Sequence, residues 1–227
     1  MGNRPNTKYE LQATNAKWIR SLAFVVCILS FVIVLAGCDL FSTRTPEPPS
    51  SSNTFIWTPA TTVEILMGNF TGALQAFDAS NYTKVFIAAT DSTGSGPKAF
   101  AFTPIAGLDP ASRTIFTNWT VEGPSESEHA WLAKLAALPH SGPLAITLGA
   151  IAPVQSSNAA SLTTSYTIAL PTGVIPTDTV RGSLEMQFLL VTTEQGTKEW
   201  RIVSWTDFAP TGGTSETWTD LKLKLSS

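Results

Sequence analysis

Cysteine and histidine are scarce in this chain, and their scarcity excludes several kinds of chemistry. The 227 residues include two cysteines, Cys27 and Cys38, and two histidines, His129 and His140. Cys27 lies within an apolar N-terminal run, and the chain beyond residue 38 contains no thiol, so no disulfide can form within that part. Thiol catalysis and cysteine-ligated metal sites are therefore excluded for the part of the chain that we expect to fold.

Charged residues are also few, at 14% of the chain, and they are unevenly distributed. The whole chain carries −3, while residues 1–37 carry +3, so the remainder carries −6. An acidic body without basic clusters is a poor binder of nucleic acid, and we predict no such partner. A hydrophobic content of 43% argues against general disorder. Sparse charge together with abundant serine, threonine and glycine fits an exported, β-rich protein.

The N-terminal apolar run predicts an export signal. Residues 1–20 are polar and net positive, and residues 22–37 are almost entirely apolar. This basic and then apolar pattern is typical of a signal peptide, and the run is shorter than the roughly 20 residues of a membrane-spanning helix. It ends in Leu35-Ala36-Gly37-Cys38, which resembles the lipobox of bacterial lipoproteins. The alternative interpretation is an uncleaved anchor that carries these four residues by chance.

The lipobox resemblance implies that residues 1–37 are removed and that Cys38 receives a diacylglycerol on its sulfur. Two or three acyl chains hold a protein on a bilayer for practical purposes permanently. We therefore expect a lipid-anchored protein of the bacterial cell envelope, without a choice between inner and outer membrane. Residues 38–53 form the tether, and their proline- and serine-rich stretch 41–53 predicts an extended chain about 40 Å long at roughly 3 Å per residue.

Residues 54–227 begin with patterns that predict helices. Thr58 and Pro59 suit the N-cap and first position of a helix. Its apolar stripe comprises Val63, Leu66, Met67, Phe70, Leu74 and Phe77. A second short helix is predicted over residues 81–89. A further helix is predicted from a capping box of Ser125 and Glu128 to about residue 138.

The rest of this region alternates with the period of β-strands. A first strand is predicted over residues 98–103, and long alternating segments follow from residue 144 onwards. In the last strand Trp200 and Ile202 fall on one face but Val203 and Trp205 on the other, which predicts a β-bulge or a strand covered on both faces. Helices followed by strands indicate an α+β domain, with helices on one face of a curved antiparallel sheet.

The order of elements resembles the NTF2-like α+β cone, and the two ends of the domain resemble a group of bacterial NTF2-like lipoproteins. The residues that carry the resemblance are Thr58-Pro59, then Trp200, Ile202, Trp205 and Asp207, then Thr217-Trp218, Leu221 and Lys222. It spans residues 57–225, and the stretch 102–124 departs from it. The resemblance implies a pocket between the helices and the concave face of the sheet. It does not imply a function, because this fold hosts enzymes, binding modules and assembly domains alike.

Two groups of residues are candidates for a site. Glu126 and His129 have the spacing of a carboxylate-bridged metal site, but such a site needs a second pair, and none is present. We therefore predict no metal, and interpret Glu126 and Glu128 as acids that complement the dipole of a helix N-terminus. No cofactor is predicted either. The five tryptophans beyond residue 100 are interpreted mainly as core residues.

A cone enzyme would need a buried acid or tyrosine, for which the candidates are Asp78, Asp91, Tyr166 and Asp207. Asp78 is interpreted as a helix C-terminal turn residue and Asp91 as a loop residue. Tyr166 is interpreted as a core residue whose hydroxyl has a partner. Asp207 is interpreted as a strand-end carboxylate that accepts backbone N–H bonds. No catalytic residue is assigned, since no pair among the four stands out.

Three hypotheses follow for the function. The first is a non-enzymatic envelope lipoprotein whose domain binds an apolar small molecule or a partner protein. The second is a pocket enzyme of the isomerase or dehydratase kind. The third is self-association as a homodimer through the outer face of the sheet. A buried carboxylate that faces open volume would favour the enzyme, whereas a cone filled by side chains would favour the binding module.

Overall fold

The computed structural model describes residues 55–94, 99–139, 144–171, 179–212 and 215–226. The predicted signal peptide 1–37, the lipidation site Cys38 and the tether 38–53 lie outside these ranges. Within the described ranges no helix has the length and apolar character needed to cross a bilayer.

The described residues form helices and a six-stranded sheet, which confirms the α+β class. The helices are α1 (Val63–Gln75), α2 (Ala79–Thr83), α3 (Pro110–Thr117), α4 (Glu128–Ala137) and α5 (Trp218–Ser226). The strands are β1 (Ala101–Thr103), β2 (Ala145–Leu148), β3 (Val154–Gln155), β4 (Ala159–Ala169), β5 (Thr179–Thr192) and β6 (Lys198–Phe208).

The sheet is mixed, whereas the sequence predicted an antiparallel one. Its order is β1-β6-β5-β4-β2, with β3 also beside β4. Strands β4, β5 and β6 form the expected antiparallel meander, but β1 pairs with β6 in parallel. After α2 the chain runs beside β6, and parallel to it, in two places. Phe86 forms a parallel bridge with Ile202, and β1 then pairs with residues 204–206 of β6. These two parallel pairings are what make the sheet mixed.

The predicted bulge in the last strand is confirmed. Gln187 of β5 pairs with Ser204 of β6, but the next residue, Phe188, pairs with Ile202, so Val203 is the extra residue. Because of this insertion Ile202 and Trp205, three residues apart, both face the core with exposures of 0%.

Helix α1 has the predicted apolar stripe but begins later than predicted. Its N-cap is Thr62, whose hydroxyl accepts the Ile65 N–H, and not Thr58. Thr58 is instead hydrogen-bonded to the side-chain amide of Asn69 through both of its backbone groups. The Asn69 Oδ1 accepts the Thr58 N–H at 3.3 Å, and the Asn69 Nδ2 donates to the Thr58 carbonyl at 2.6 Å. Residues 55–60 are thus held as an extended strap along α1.

The second and third predicted helices also differ in their bounds. Helix α2 ends at Thr83 instead of residue 89, because Val85 and Ile87 exchange backbone hydrogen bonds with Ile202 at the sheet edge. The N-cap of α4 is Ser127 and not Ser125, since the Ser127 hydroxyl accepts the Ala130 N–H. Strand β1 covers only the end of the predicted segment 98–103. Helices α3 and α5 were not predicted.

Candidate functional site

The interior between the helices and the sheet contains an ion pair with no solvent exposure. Glu128 is the first residue of α4, and Lys222 lies within α5. The Lys222 Nζ is 2.5 Å from Glu128 Oε1, and both side chains have exposures of 0%. Burying two charges is costly unless both are well paired and hydrogen-bonded, so the surroundings of this pair must provide further partners.

The Glu128 carboxylate has those partners on both of its oxygens. Oε1 accepts the indole N–H of Trp119 at 2.8 Å as well as the Lys222 ammonium. Oε2 accepts the hydroxyl of Tyr82 and the indole N–H of Trp131, each at 2.9 Å. Four donors therefore saturate one carboxylate, and the anion is stabilised in a site that lacks contact with bulk water.

Aromatic rings enclose the Lys222 ammonium. Its Nζ lies 3.6 Å from the ring centroid of Phe102 and 4.0 Å from that of Trp205. The rings of Trp119 and Trp131 follow at 5.4 and 6.0 Å. Such ring faces attract a cation, which partly replaces its lost hydration. Burial nevertheless lowers the pKa of Lys222 to about 8, although the charges of Glu128 and Asp207 act in the opposite direction.

We call this group the Glu128–Lys222 cluster. It comprises Tyr82, Phe102, Trp119, Glu128, Trp131, Trp205 and Lys222. Helices α2, α4 and α5, strands β1 and β6 and the segment after α3 each contribute to it. All of these side chains are buried in the interior between the helices and the sheet.

A second buried carboxylate, Asp207, is also fully engaged. Its Oδ1 accepts the Tyr166 hydroxyl at 2.7 Å, and its Oδ2 accepts the backbone N–H and the hydroxyl of Thr219 at 2.8 and 2.7 Å. The interpretations of Asp207 as an acceptor of backbone N–H and of Tyr166 as a partnered core residue are confirmed. Burial raises the pKa of Asp207, and the hydrogen bonds from Thr219 and Tyr166 reduce that shift.

A cavity of about 450 Å³ lies outside the cluster, at the edge of the sheet. Its walls are residues 83–84 and 86–91, Ala99 and Phe100, residues 120–122, the β5–β6 turn at 193–195, and Arg201. We call it the edge pocket. None of the residues of the Glu128–Lys222 cluster is part of its walls.

The walls of the edge pocket are mainly apolar, and one part of them carries a cluster of paired charges around Arg201. The rings of Phe86 and Phe100 pack at an interplanar angle of 58°, with their centroids 4.5 Å apart. Arg201, which is only 9% exposed, pairs with Glu199 at 2.8 Å and lies 3.7 Å from Asp91. Burial alone would raise the pKa of Glu199, but the Arg201 guanidinium outweighs it and holds that pKa below its usual value. The pocket therefore offers aromatic surface beside a neutralised arginine.

The remaining candidate residues have ordinary structural partners. Asp78 does lie in the turn after α1, where its N–H bonds to the Ala73 carbonyl, and its carboxylate also caps α2. Asp91 lies in a loop, as expected, and accepts the Ala88 N–H at 2.9 Å. No cluster of metal-ligating side chains occurs within the described ranges.

The Glu126 and His129 pair does not have the geometry that its spacing suggested. Glu126 precedes the N-cap of α4 and has a φ of 51°, so the two residues do not share a helix face. The interpretation of Glu128 as a helix-dipole acid was incomplete, since that side chain is buried against Lys222. Lys222 was missed as a site residue, although Trp218, Leu221 and Leu225 place it on the apolar stripe of α5.

No protein-family model matches the sequence, and no curated protein matches it significantly. Solved structures do match the fold. An NTF2-like protein with a cystatin-like fold from Novosphingobium aromaticivorans has 12% identity and a TM-score of 0.41, over 67% of this chain and 82% of its own. An NTF2-like protein from Cytophaga hutchinsonii has 11% identity and a TM-score of 0.42, over 65% and 95%. A candidate dehydratase of the NTF2-like family from Streptomyces avermitilis has 14% identity and a TM-score of 0.42, over 66% and 95%.

Proposed function

We propose that this protein is a lipid-anchored lipoprotein of the bacterial cell envelope whose α+β domain binds a small apolar molecule without transforming it. The observation that carries the proposal is the saturation of both enclosed carboxylates. Glu128 accepts four donors and Asp207 three, and neither residue is more than 1% exposed. A general base must reach a substrate proton within hydrogen-bond distance, which these enclosed acids cannot do. The carboxylate of Asp91, which lines the edge pocket, is also engaged: it accepts the Ala88 N–H at 2.9 Å and lies 3.7 Å from Arg201. We therefore favour the binding module over the isomerase or dehydratase alternative.

The edge pocket is the site that we assign to the ligand. Its volume of about 450 Å³ lies within the range of small-molecule sites, which are mostly apolar with a few placed polar groups. The Phe86 and Phe100 rings supply aromatic surface, and the paired Arg201 supplies hydrogen-bond donors without net charge. An apolar molecule with one polar group therefore fits the pocket better than an ion does.

The pocket assignment is tested by filling the pocket. The full chain would be isolated from its bacterial host in nanodiscs cut directly from the membrane, and the small molecules that accompany it would be quantified by mass spectrometry. Ala89 is an exposed residue of the pocket wall, so Ala89→Trp should occupy the cavity without disturbing the core. Ala111→Trp adds the same ring to an exposed position of α3 that is not in the pocket wall.

We expect at least one compound that accompanies the native chain and the Ala111→Trp variant to be lost from Ala89→Trp. If the three preparations carry the same compounds in the same amounts, the pocket does not hold a ligand. A protein that accompanies the native chain and is lost from Ala89→Trp, with no small molecule affected, would instead favour the partner-protein alternative.

The anchor is proposed from the sequence and has its own test. Cells supplied with an alkyne analogue of palmitate should incorporate the label into the native chain and into Cys27→Ser, but not into Cys38→Ser. Cys27→Ser is the matched control, because this residue lies within the predicted leader and loses only a thiol. Label in the Cys38→Ser variant, or none in the native chain, would overturn the lipid anchor and leave the pocket assignment unaffected.

A further inference from the structure

The contact between Lys222 and Glu128 places an amine directly beside a carboxyl group. The Lys222 Nζ lies 2.5 Å from Glu128 Oε1, the two residues are 94 positions apart in the chain, and neither side chain contacts solvent. We propose that Lys222 and Glu128 join in a self-formed amide cross-link between α5 and α4.

The reaction balances without a further reactant. One proton passes from the Lys222 ammonium to Glu128 Oε1 along their hydrogen bond, which leaves a neutral amine and a neutral carboxylic acid. The Nζ lone pair then attacks the Glu128 carboxyl carbon and forms the new C–N bond. As the C–Oε1 bond breaks, Oε1 takes a second proton from Nζ and leaves as water. Oε2 becomes the amide oxygen, and the nitrogen keeps one hydrogen.

The donors around Glu128 are placed for this attack. The Tyr82 hydroxyl and the Trp131 indole N–H both point at Oε2, the oxygen on which negative charge develops as the carbon becomes tetrahedral. Fixed donors at such a position, in a site without water, stabilise the developing charge as an oxyanion hole does. Both donors keep their acceptor in the product, because Oε2 remains as the amide carbonyl.

The reactants are also held ready by the fold. The Phe102 and Trp205 rings confine Nζ against the carboxylate, and fixed proximity of this kind replaces the entropy cost of a bimolecular encounter. Burial lowers the pKa of Lys222 to about 8, so the neutral amine that the attack requires is accessible near neutral pH.

The cross-link removes the desolvation cost of burying two charges, which an ion pair without the covalent bond retains. A buried ion pair loses hydration that its mutual attraction repays only in part, whereas an amide carries no charge. The part of the chain beyond residue 38 has no thiol for a disulfide, so this amide would be its covalent link between distant segments.

The experiment is a peptide map of the full chain, purified from its host, unfolded in urea and digested with trypsin. Cleavage would free residues 114–134, which contain Glu128, and residues 202–222, which end at Lys222. An acylated Lys222 resists trypsin, so cleavage moves to Lys224. We expect one species in which 114–134 is joined to 202–224 with the mass of one water missing, and fragmentation should place the bond between Glu128 and Lys222.

Two variants complete the test. Lys222→Arg cannot form the amide, and its peptides should be linear. Lys224→Arg changes a half-exposed lysine two residues away, and its digest should retain the joined species. The inference does not depend on whether Lys222→Arg folds, because the native chain alone decides it. If the native, folded chain yields only linear 114–134 and 202–222 peptides, the cross-link does not exist and the pair is a plain ion pair.

Discussion

The Tyr166 hydroxyl joins the sheet to the last helix through two hydrogen bonds. It donates to Asp207 Oδ1 at 2.7 Å and accepts the Trp218 backbone N–H at 2.8 Å. Gly182 lies opposite Tyr166 in β5 and leaves room for the hydroxyl, since a Cβ there would be 2.5 Å from its oxygen. Strands β4, β5 and β6 thus combine to fix the first turn of α5, the helix that carries Lys222.

We expect Tyr166→Phe to destabilise the domain without changing its fold. The substitution leaves the buried Trp218 N–H without its acceptor and removes one donor from Asp207, and an unsatisfied buried group costs about 1–3 kcal/mol. Urea denaturation followed by tryptophan fluorescence measures the change. Thr163→Ala, at an exposed position of the same strand, should leave the unfolding free energy nearly unchanged. Equal stability of the Tyr166 variant and the native chain would contradict the role of this hydroxyl.

The two glycines of α1 should respond oppositely to alanine. A Cβ at Gly68 would have no neighbour within 4 Å, so Gly68→Ala should raise the unfolding free energy by up to about 1 kcal/mol through helix propensity. A Cβ at Gly72 would lie 2.5 Å from the ring of Phe55. Gly72→Ala must therefore displace that ring and loosen the strap 55–60, which should cancel the gain. Thermal unfolding of the two variants side by side checks this, and an equal gain from both would show that the ring does not hold the strap.

We expect the domain to lose stability above pH 10. Burial, followed by the negative charge of Glu128, raises the pKa of Tyr82 well above its usual 10.0, and burial together with Asp207 raises that of Tyr166 in the same direction. A group whose pKa is higher in the folded state contributes stability that is complete below its unfolded pKa and is lost as the pH rises beyond it. The folded domain keeps both protons, and unfolding releases them.

The measurement is tyrosinate absorbance alongside circular dichroism in an alkaline titration. The chain has three tyrosines, and the signals of Tyr82 and Tyr166 should appear only together with the loss of structure. Tyr82→Phe should reduce the dependence of the unfolding free energy on pH above 10. Tyrosinate absorbance from both residues in a domain that is still folded would contradict the prediction.

Local patterns in the sequence were sufficient for the strands and for the stripe of α1. Alternation of apolar residues placed β4, β5 and β6, and the phase break between Ile202 and Val203 predicted the bulge, because both signals depend on neighbouring residues alone. Helix bounds were less predictable. Thr58 is as good an N-cap as Thr62 by residue type, and only the amide of Asn69, eleven residues away, holds Thr58 in an extended conformation.

The interior site could not be predicted because its members are far apart in the chain. Glu128 looks like any acid in a first helical turn, and nothing nearby indicates that Lys222, 94 residues later, will neutralise it. The available signal was a lysine at an apolar position of a helix, between Leu221 and Leu225, which calls for a buried counter-charge. The edge pocket had no signal of this kind, since its walls come from five separate segments of the chain.

The position of α5 in the chain order sets when the interior can be completed. Trp218 and Lys222 belong to the centre of the domain, yet they follow all of the other described elements in synthesis and in any transfer across a membrane. Until they arrive, Glu128 lacks the counter-charge of Lys222, and the aromatic interior lacks the Trp218 ring. The interior should consequently be completed in one late step of folding, after the chain has been made as far as α5.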